Sequence, residues 1–444
     1  MFMENRYDKY KDSGIEWIGE IPEHWETSKT LFSLSIPITD GPHTTPELFE
    51  TGVPFVSAEA VSFGNGRIDF SHIRGYISDN FYQECCKKYI PQIDDIYMIK
   101  SGATTGRVAI VDTDVKFTIW SPLAVFRCNK ERMLPHFLFY QLQSNGYQKQ
   151  IELNWSYGTQ QNIGMRTLEK LILSVPPIAE QQSIANYLDQ KCGEIDELIT
   201  LQEGMITKLQ SYKQSVITEA VTKGLDKNVP LKDSGIEWVG EIPKHWEVKR
   251  LKNVCSTNNA SLSDKTSKEF EFDYVDIGSV SFELGIHKTE KYTFQNAPSR
   301  ARKIARLGDI IVSTVRTYLR AIDIINSEEK EKYIYSTGFA ILSPLKNILS
   351  EFMIYICRSE YFTNQVSIYS TGINYPSIND TALKMIYIVM PPLSEQQSIA
   401  TYLDQKCSEI DELISIKQQK IEKLKDYKKS LIFECVTGKE KYKP

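Results

Sequence analysis

The sequence predicts an α/β (α+β) protein built twice from one plan, with two mixed globular domains of similar fold and two long helices. Three observations support this internal pseudo-two-fold repeat. A segment at 12–26, DSGIEWIGEIPEHWE, returns at 233–247 as DSGIEWVGEIPKHWE. A second segment, PPIAEQQSIANYLDQKCGEIDELI from 176, returns from 391 as PPLSEQQSIATYLDQKCSEIDELI. The stretches between these segments are rich in β-branched and aromatic residues, which is typical of strands.

Each repeated tail is predicted to be one long helix, the first over 176–224 and the second over 391–444. Pro-Pro followed by a Glu-Gln-Gln triplet favours a helix start, because a glutamate is stabilising in the first turn. Apolar residues then recur at heptad spacing, as at Leu188 and Ile195. About forty helical residues would extend roughly 60 Å. Since such an apolar stripe needs a partner, we expect the helices to pack against each other; the alternative is that each covers only its own half's core.

The repeats divide the chain into six segments. Repeated segments at 1–26 and 225–247 precede variable domains at 27–175 and 248–390, and each variable domain precedes one of the helices. The variable domains retain weak similarity to each other. IDDIYMIKSGATTGRVAIV from position 93 aligns with LGDIIVSTVRTYLRAIDII from 307, and GTQQNIGM from 158 aligns with TGINYPSI from 371.

Composition limits the classes of function. The 444 residues carry a formal net charge of −5, so any binding to nucleic acid must rely on local basic patches rather than bulk charge. No apolar run is long enough for a membrane helix, and the polar start is unlike a signal peptide. The eight cysteines include the adjacent pair Cys85 and Cys86 but no C-x-x-C motif. Reduced thiols in a cytoplasmic protein are therefore expected.

No catalytic constellation is predicted. The chain has no phosphate-binding G-x-x-x-x-G-K-[ST] loop, no G-x-S-x-G elbow and no H-E-x-x-H zinc motif. Asp94, Asp95 and Lys100 resemble nuclease residues, but a second carboxylate beside the lysine is missing, and a turn next to a strand explains them better. His24 and His245 favour structural roles beside the repeated tryptophans. We therefore expect a binding protein without catalytic residues or metal ligands.

The layout and several motifs resemble the specificity (S) subunit of type I restriction–modification systems. The resemblance covers nearly the whole chain. It rests on DSGIEWIGEIPEHW, on TDGPHTTPELFETGVPFVSAEAV at 39–61, on GTQQNI at 158–163, and on both PP-x-x-EQQ-x-IA-x-YLD tails. The second variable domain lacks a clear copy of TDGPHTTP and has TGINYPSI in place of GTQQNIGM, so a transfer of individual residues is weaker there.

The resemblance implies a fold and a function. Each variable domain would be a target-recognition domain that reads one half of a bipartite DNA site. The helices would form an antiparallel coiled-coil spacer between the two domains and a platform for two methyltransferase (M) subunits. The repeated parts would stay alike because they bind two copies of one partner. Partner-binding residues are predicted in the repeated segments: Trp17, Trp25, Trp238, Trp246, Gln181 and Gln396.

The implied chemistry belongs to other subunits. The M subunits would methylate adenine N6 with S-adenosylmethionine, and restriction (R) subunits, where present, would use Mg and ATP. No cofactor is expected in this chain, and no membrane contact. Two other classes of function stay open: a coiled-coil scaffold whose two divergent domains bind proteins, and a self-contained nuclease.

The candidate DNA contacts lie in exposed loops. Glycines in such loops let the backbone approach phosphates, amides can pair with adenine, and a basic cluster suits phosphate. The predicted residues of the first domain are Thr44, Thr45, Ser101, Thr104, Thr105, Arg107, Gln160, Gln161 and Asn162. Those of the second domain are Arg316, Thr317, Tyr318, Arg320, Asn374, Tyr375 and Ser377, with a basic cluster of Arg300, Arg302, Lys303 and Arg306. The alternative for each residue is an ordinary polar loop or a solvated charge.

Overall fold

A computed structural model describes residues 6–157 and 161–440, and the chain divides into two compact units. Unit 1 comprises residues 1–202 and 419–444, and unit 2 comprises residues 203–418. Each unit therefore contains one variable domain and a part of each long helix.

Unit 1 mixes short strands with helices. Its strands are β1 (Tyr10–Asp12), β2 (Glu20–Pro22), β3 (Glu26–Lys29), β4 (Thr39–Asp40), β5 (Val53–Val56), β6 (Tyr76–Ile77), β7 (Ile96–Ile99), β8 (Val108–Ile110), β9 (Thr118–Ile119), β10 (Leu123–Phe126), β11 (Ser156–Tyr157), β12 (Gln161–Asn162) and β13 (Ile172–Val175). Its helices are α1 (Ala58–Phe63), α2 (Asp79–Cys86), α3 (Pro135–Gln143), α4 (Asn145–Leu153), α5 (Met165–Leu168) and the first part of α6 (Ile178–Lys223). Two 3-10 turns span Thr30–Ser33 and Phe70–His72.

The centre of unit 1 is a four-stranded antiparallel sheet in the order β4-β10-β7-β8. Every residue of β7, β8 and β10 is buried, because one face of the sheet meets α3 and the other meets the smaller sheet β6-β5-β9. The repeated segment forms the β1–β2 hairpin and then β3, which pairs antiparallel with β13 just before α6. The pairing of β3 with β13 therefore brings the first and last residues of the variable domain side by side.

Unit 2 repeats this order of elements. Its strands are β14 (Leu231–Asp233), β15 (Glu241–Pro243), β16 (Glu247–Arg250), β17 (Cys255–Thr257), β18 (Glu271–Val275), β19 (Val280–Ser281), β20 (Gly285–Ile286), β21 (Glu290–Thr293), β22 (Ala301–Ile304), β23 (Ile310–Ser313), β24 (Ile322–Ile324), β25 (Ile334–Ser336), β26 (Phe339–Pro344) and β27 (Tyr387–Met390). Its helices are α7 (Glu328–Glu331), α8 (Ser350–Arg358), α9 (Glu360–Ile368), α10 (Asp380–Lys384) and the first part of α11 (Leu393–Val436). The 3-10 turns are Leu251–Asn253, Ile277–Ser279 and Thr317–Leu319.

The two variable domains share a core and differ around it. The sheet β17-β26-β23-β24 of unit 2 corresponds to the central sheet of unit 1, and β16 pairs with β27 as β3 pairs with β13. The second sheet has four strands in unit 2, β21-β18-β25-β22, and three in unit 1. The predicted similarity of the two domains is confirmed, and the divergence lies outside the shared core.

The long helices pair with each other, as predicted. In unit 1 the start of α6 packs on the end of α11, where Leu188 and Ile195 share a core cluster with Leu431, and Asp196 lies 2.7 Å from the Lys428 ammonium. In unit 2 the end of α6 meets the start of α11, where the Lys213 ammonium lies 2.6 Å from Asp411. The two helices therefore run antiparallel. No helix in the described part of the chain is both long and apolar enough to cross a membrane.

Candidate nucleic-acid interface

Two separate loops of unit 1 meet at one edge of the central sheet. The turn from Lys100 to Arg107 joins β7 to β8, and the Lys100 carbonyl accepts a hydrogen bond of 2.9 Å from the Ile163 amide. The Gly102 amide donates to the Gln161 carbonyl at 2.9 Å. The predicted residues Ser101, Gln161 and Asn162 are therefore brought together. Gln160 falls outside the described residues.

The tip of the same turn is held against α1. Thr104 accepts a 3.1 Å hydrogen bond from the Ser62 hydroxyl, and the Arg107 guanidinium donates to the Ser62 carbonyl at 3.1 Å. Thr105 donates to the Gly102 carbonyl at 2.7 Å and stiffens the turn. The ring of Phe63, beside Ser62, is 63% exposed and stacks on the His72 ring, with 4.3 Å between the ring centres. The sequence shows a signal for this segment, since Val-Ser-Phe at 61–63 recurs at 280–282, but the prediction did not include it.

A buried carboxylate connects a third segment to this turn. Asp40, 1% exposed at the end of β4, accepts a hydrogen bond from Lys88 and lies 3.2 Å from the Lys100 ammonium. Burial alone would raise the pKa of Asp40, but the hydrogen bonds from the two lysines hold that pKa below its ordinary value. The exposed Thr44 and Thr45 lie four and five residues after Asp40. Asp40 thus positions the predicted threonines beside the turn, a role that the prediction missed.

Unit 2 assembles the equivalent pair of loops. The Thr314 carbonyl accepts a 2.9 Å hydrogen bond from the Ile378 amide, in the same arrangement as Lys100 and Ile163. Ser377 forms a backbone bridge with Val315 and another with Thr371. The turn that contains Arg316, Thr317, Tyr318 and Arg320 therefore lies beside the loop that contains Asn374, Tyr375 and Ser377.

The predicted residues of unit 2 differ in their access to a ligand. Tyr318 is 58% exposed and Tyr375 is 67% exposed, and Asn374 is also exposed. Thr317 is 6% exposed and its hydroxyl lies 3.0 Å from that of Ser370, so it anchors the turn and does not face solvent. The prediction that Thr317 contacts DNA is therefore corrected.

The predicted basic cluster does not act as one group. Arg300 is exposed, and the Arg302 guanidinium lies 4.7 Å from the centre of the Phe294 ring. Lys303 instead points inward and donates to Asn258 Oδ1 at 2.6 Å and to the Phe339 carbonyl at 2.5 Å. Burial lowers the pKa of Lys303. Its assignment to a phosphate clamp is corrected, because its ammonium satisfies interior acceptors.

The acidic residues considered as nuclease candidates are engaged elsewhere. Asp95 is 1% exposed and pairs with the Arg127 guanidinium at 2.7 Å, while Lys100 faces Asp40. Asp94 pairs with Lys130 at 2.6 Å on the surface. Across residues 6–157 and 161–440, no group of three or more His, Cys, Asp or Glu side chains is placed to hold a metal ion.

The repeated tryptophans lock each repeated segment onto the start of a long helix. Trp25 is fully buried and its indole donates to Glu180 Oε2 at 3.0 Å, and Trp246 donates to Glu395 Oε2 at 2.9 Å. The neighbouring histidines, His24 and His245, each lie 2.7 Å from the other oxygen of the same carboxylate. The two units thus contain the same Trp-His-Glu contact.

The repeated glutamines perform a second internal task. Gln181 accepts a 2.8 Å hydrogen bond from the Leu134 amide and donates to the Arg132 and Pro176 carbonyls, each at 2.9 Å. Gln396 makes the same three contacts one repeat later, with Leu349, Asn347 and Pro391. In unit 1 these contacts fix the start of α3 to α6, and in unit 2 they fix the start of α8 to α11. Each variable domain is thereby attached to the long helix that follows it.

These contacts change the partner-binding prediction. Trp25, Trp246, Gln181 and Gln396 are all 0% exposed, so they offer no surface to another protein and instead shape the surface around them. Trp17 is partly buried, and Trp238 is 38% exposed. Of the predicted partner-binding residues, only these two keep accessible side chains, and their role stays a prediction.

Replacing Gln396 with alanine should lower the free energy of unfolding by roughly 1–3 kcal/mol, because three buried or partly buried backbone groups lose their partner. The adjacent Gln397 is exposed and contacts only Thr401 of its own helix, at 3.5 Å, so Gln397→Ala is the matched control. We expect the control to change the free energy by less than about 0.5 kcal/mol. Denaturant unfolding measures both variants, and equal losses would contradict the anchoring role.

Glu180 should make the stability of unit 1 sensitive to acid. Burial alone would raise the pKa of Glu180, but hydrogen bonds from His24, Trp25 and Tyr7 hold that pKa below its ordinary value. Such a carboxylate stabilises the fold at pH values above the ordinary glutamate pKa, and the contribution is lost as the pH falls through the lowered pKa. Glu180→Gln should therefore cost roughly 1 kcal/mol at neutral pH, with the difference vanishing in acid. Unfolding titrations from pH 7 to pH 3 test this, with the exposed Glu197→Gln as a control that should show no such difference.

Comparisons with known proteins point to one group. A family model described as the type I restriction modification DNA specificity domain matches residues 43–210 and 243–426. A Methanocaldococcus jannaschii protein assigned as the MjaX specificity subunit of a type I restriction enzyme is 29% identical over 435 residues, 96% of each chain. The MjaVIII specificity subunit of the same organism is 25% identical over 84% of this chain and 85% of that one. A solved structure from work on complex assembly and conformational transition of the type I R-M system has the same fold, with a TM-score of 0.69 and 17% identity over 94% of this chain and 99% of that one.

Proposed function

Since this chain belongs to the type I restriction–modification DNA specificity family, we propose that it recognises a bipartite DNA site and places two adenine-N6 methyltransferase subunits on it. Each unit would read one half of the site. The observation that carries this proposal is the pair of loops that meets at the same sheet edge in both units, with different side chains in each. One scaffold that presents two sets of side chains suits two different half-sites.

The chemistry of the two loop pairs suits base recognition. Amides such as Gln161 and Asn162 can pair bidentately with adenine in the major groove, and arginines such as Arg316 with guanine. Hydroxyl groups such as those of Thr44 and Thr45 can contact phosphates and fix the register on the duplex. The duplex would therefore lie across both loops of each unit.

The repeated parts would serve the partners. The Trp-His-Glu contact and the glutamine anchor recur with the same geometry, so each unit presents a similar surface around the start of a long helix. Two similar surfaces suit two copies of one M subunit. The exposed Trp238 and the partly buried Trp17 are candidates for direct contact.

This chain would be the non-catalytic member of a cytoplasmic complex. The M subunits would extrude an adenine and methylate it with S-adenosylmethionine, and R subunits, where present, would supply the Mg- and ATP-dependent activity. The chain's own residues would bind and orient the duplex and hold no cofactor.

Retention of DNA in the presence of competitor tests this proposal against the alternatives. The purified chain together with its M subunits is incubated with source-cell genomic fragments and excess nonspecific duplex. We expect a sequence-defined subset to be retained, with an affinity that falls as salt rises. Retention abolished by competitor would favour the protein-binding scaffold. Mg-dependent cleavage by the purified chain alone would favour the nuclease.

A further inference from the structure

The turn between β23 and β24 contains an unusual pair of backbone conformations. Arg316 and Arg320, the residues on either side of the 3-10 turn Thr317–Leu319, both adopt the left-handed conformation, with φ of 49° and 47°. Across residues 6–157 and 161–440, the other non-glycine residues with positive φ are Asn65, Asp94 and Asn258. Asparagine and aspartate tolerate this conformation through local hydrogen bonds, and arginine has no such compensation.

Unit 1 shows what the backbone prefers at these positions. In the aligned segments, Gly102 corresponds to Arg316 and Gly106 to Arg320, and both glycines also have positive φ, of 102° and 93°. The turn therefore requires positive φ at two places in either unit. Glycine meets that requirement without strain, whereas unit 2 uses an arginine at both.

The surroundings of unit 2 accommodate both side chains. A Cβ on Gly106 would lie 2.3 Å from Gln148 Oε1, so a side chain at this position of unit 1 requires the Gln148 side chain to move. The residue one repeat later, at the same place in α9, is the smaller Thr363. The smaller Thr363 therefore leaves more room for a side chain in unit 2 than Gln148 leaves in unit 1.

The guanidinium groups of Arg316 and Arg320 each lie over an aromatic ring, and neither forms an ion pair with a carboxylate of unit 2. The Arg316 guanidinium lies 5.4 Å from the centre of the Tyr375 ring, and that of Arg320 lies 5.8 Å from the Phe282 ring. Within unit 2, which the structure describes throughout, neither arginine has a carboxylate within 4.0 Å, as the ion pairs found there involve other residues. A cation–π contact of this kind holds the guanidinium beside the ring and leaves its N–H donors free.

We propose that Arg316 and Arg320 determine the specificity of unit 2 by donating to guanine O6 and N7 in the major groove of its half-site. This inference rests on the proposed function. A phosphate contact could be made by any exposed cation, such as Arg300, and would not require two residues with strained backbone whose guanidinium groups lie over aromatic rings. Bidentate recognition of guanine does require a fixed fork geometry, and strained backbone that persists without a structural benefit is typical of functional sites.

Replacement with glycine separates a recognition role from a structural one. Arg316→Gly and Arg320→Gly relieve the strain, so the thermal midpoint of the complex should stay unchanged or rise. Arg316→Lys keeps both the strain and the charge but loses the fork, and it is the matched control for charge. The readout is adenine methylation by the chain with its M subunits on a library that is randomised at every position of the recognised site.

Each glycine variant should reduce discrimination at one guanine position of one half-site by roughly 10- to 100-fold, and Arg316→Lys should relax the same position. The half-site read by unit 1 should keep its discrimination and is the internal control. Unchanged discrimination, equal weakening on all sequences with a smaller salt dependence, or a lowered thermal midpoint would each overturn the inference. If the unsubstituted complex shows no bipartite preference, the proposed function itself fails.

Discussion

Replacing Trp246 with alanine should lower the free energy of unfolding of unit 2 by about 3–5 kcal/mol. The indole is fully buried, its nitrogen donates to Glu395, and its ring lies against Gly224 at the end of α6. Loss of this side chain therefore removes a large apolar contact and leaves Glu395 Oε2 without its indole donor, while His245 stays beside Oε1. Denaturant unfolding followed by circular dichroism measures the loss.

Trp238 offers a matched control for this substitution. It lies in the same repeated segment and is 38% exposed. Trp238→Ala should cost less than about 1 kcal/mol, but should weaken M-subunit binding if Trp238 is a contact residue. Similar losses of stability in the two variants would contradict the view that Trp246 acts from the interior of its own unit.

Replacing Asp40 with alanine should cost about 3 kcal/mol, because Lys100 then loses its acidic partner in a largely buried place. The carboxylate is 1% exposed and the Lys100 side chain is 14% exposed. Asp112 forms an exposed pair with Arg67, so Asp112→Ala is the matched control and should cost less than about 1 kcal/mol. Because the pKa of Asp40 is lowered, the difference between wild type and Asp40→Ala should be complete at neutral pH and shrink as the pH falls below the ordinary aspartate range.

Asp40 should also affect recognition in one half-site only. Lys100 begins the turn that contains Ser101, Thr104 and Arg107, so this turn should lose its fixed position when Asp40 is absent. Methylation by the complex should then tolerate substitutions in the half-site of unit 1, while the half-site of unit 2 stays as selective as before. Relaxation of both half-sites, or of neither, would contradict this positioning role.

The architecture was predictable because repetition and periodicity are properties of the sequence itself. Nearly identical segments 221 and 215 positions apart indicated two equivalent halves, and heptad spacing indicated paired helices. The aligned loops after Lys100 and Thr314 were recognised as equivalent. Their contact with the loops at 161–163 and 374–378 came from the topology, because about sixty residues of chain separate them.

The partner-binding prediction failed in part for a physical reason. A segment that repeats can be constrained by a shared partner or by a shared internal contact, and both constraints leave the same pattern in the sequence. Trp25 and Gln181 obey the internal constraint, as their burial shows. Similarly, charge alone does not distinguish Arg300, which is exposed just before β22, from Lys303 within the strand, whose ammonium donates to Asn258. The sequence analysis also did not predict the left-handed backbone of Arg316. The glycine at the aligned position, Gly102, was the one available indication of it.

A genome-wide map of N6-methyladenine in the source cell, with and without this gene, tests the central claim most directly. Deletion should remove methylation at one bipartite motif, and restoring the gene should bring it back. Restoration with Arg316→Gly should return a motif that is changed in one half only. An unchanged map, in cells that express both this protein and its methyltransferase, would contradict the claim that the chain directs modification to a DNA site.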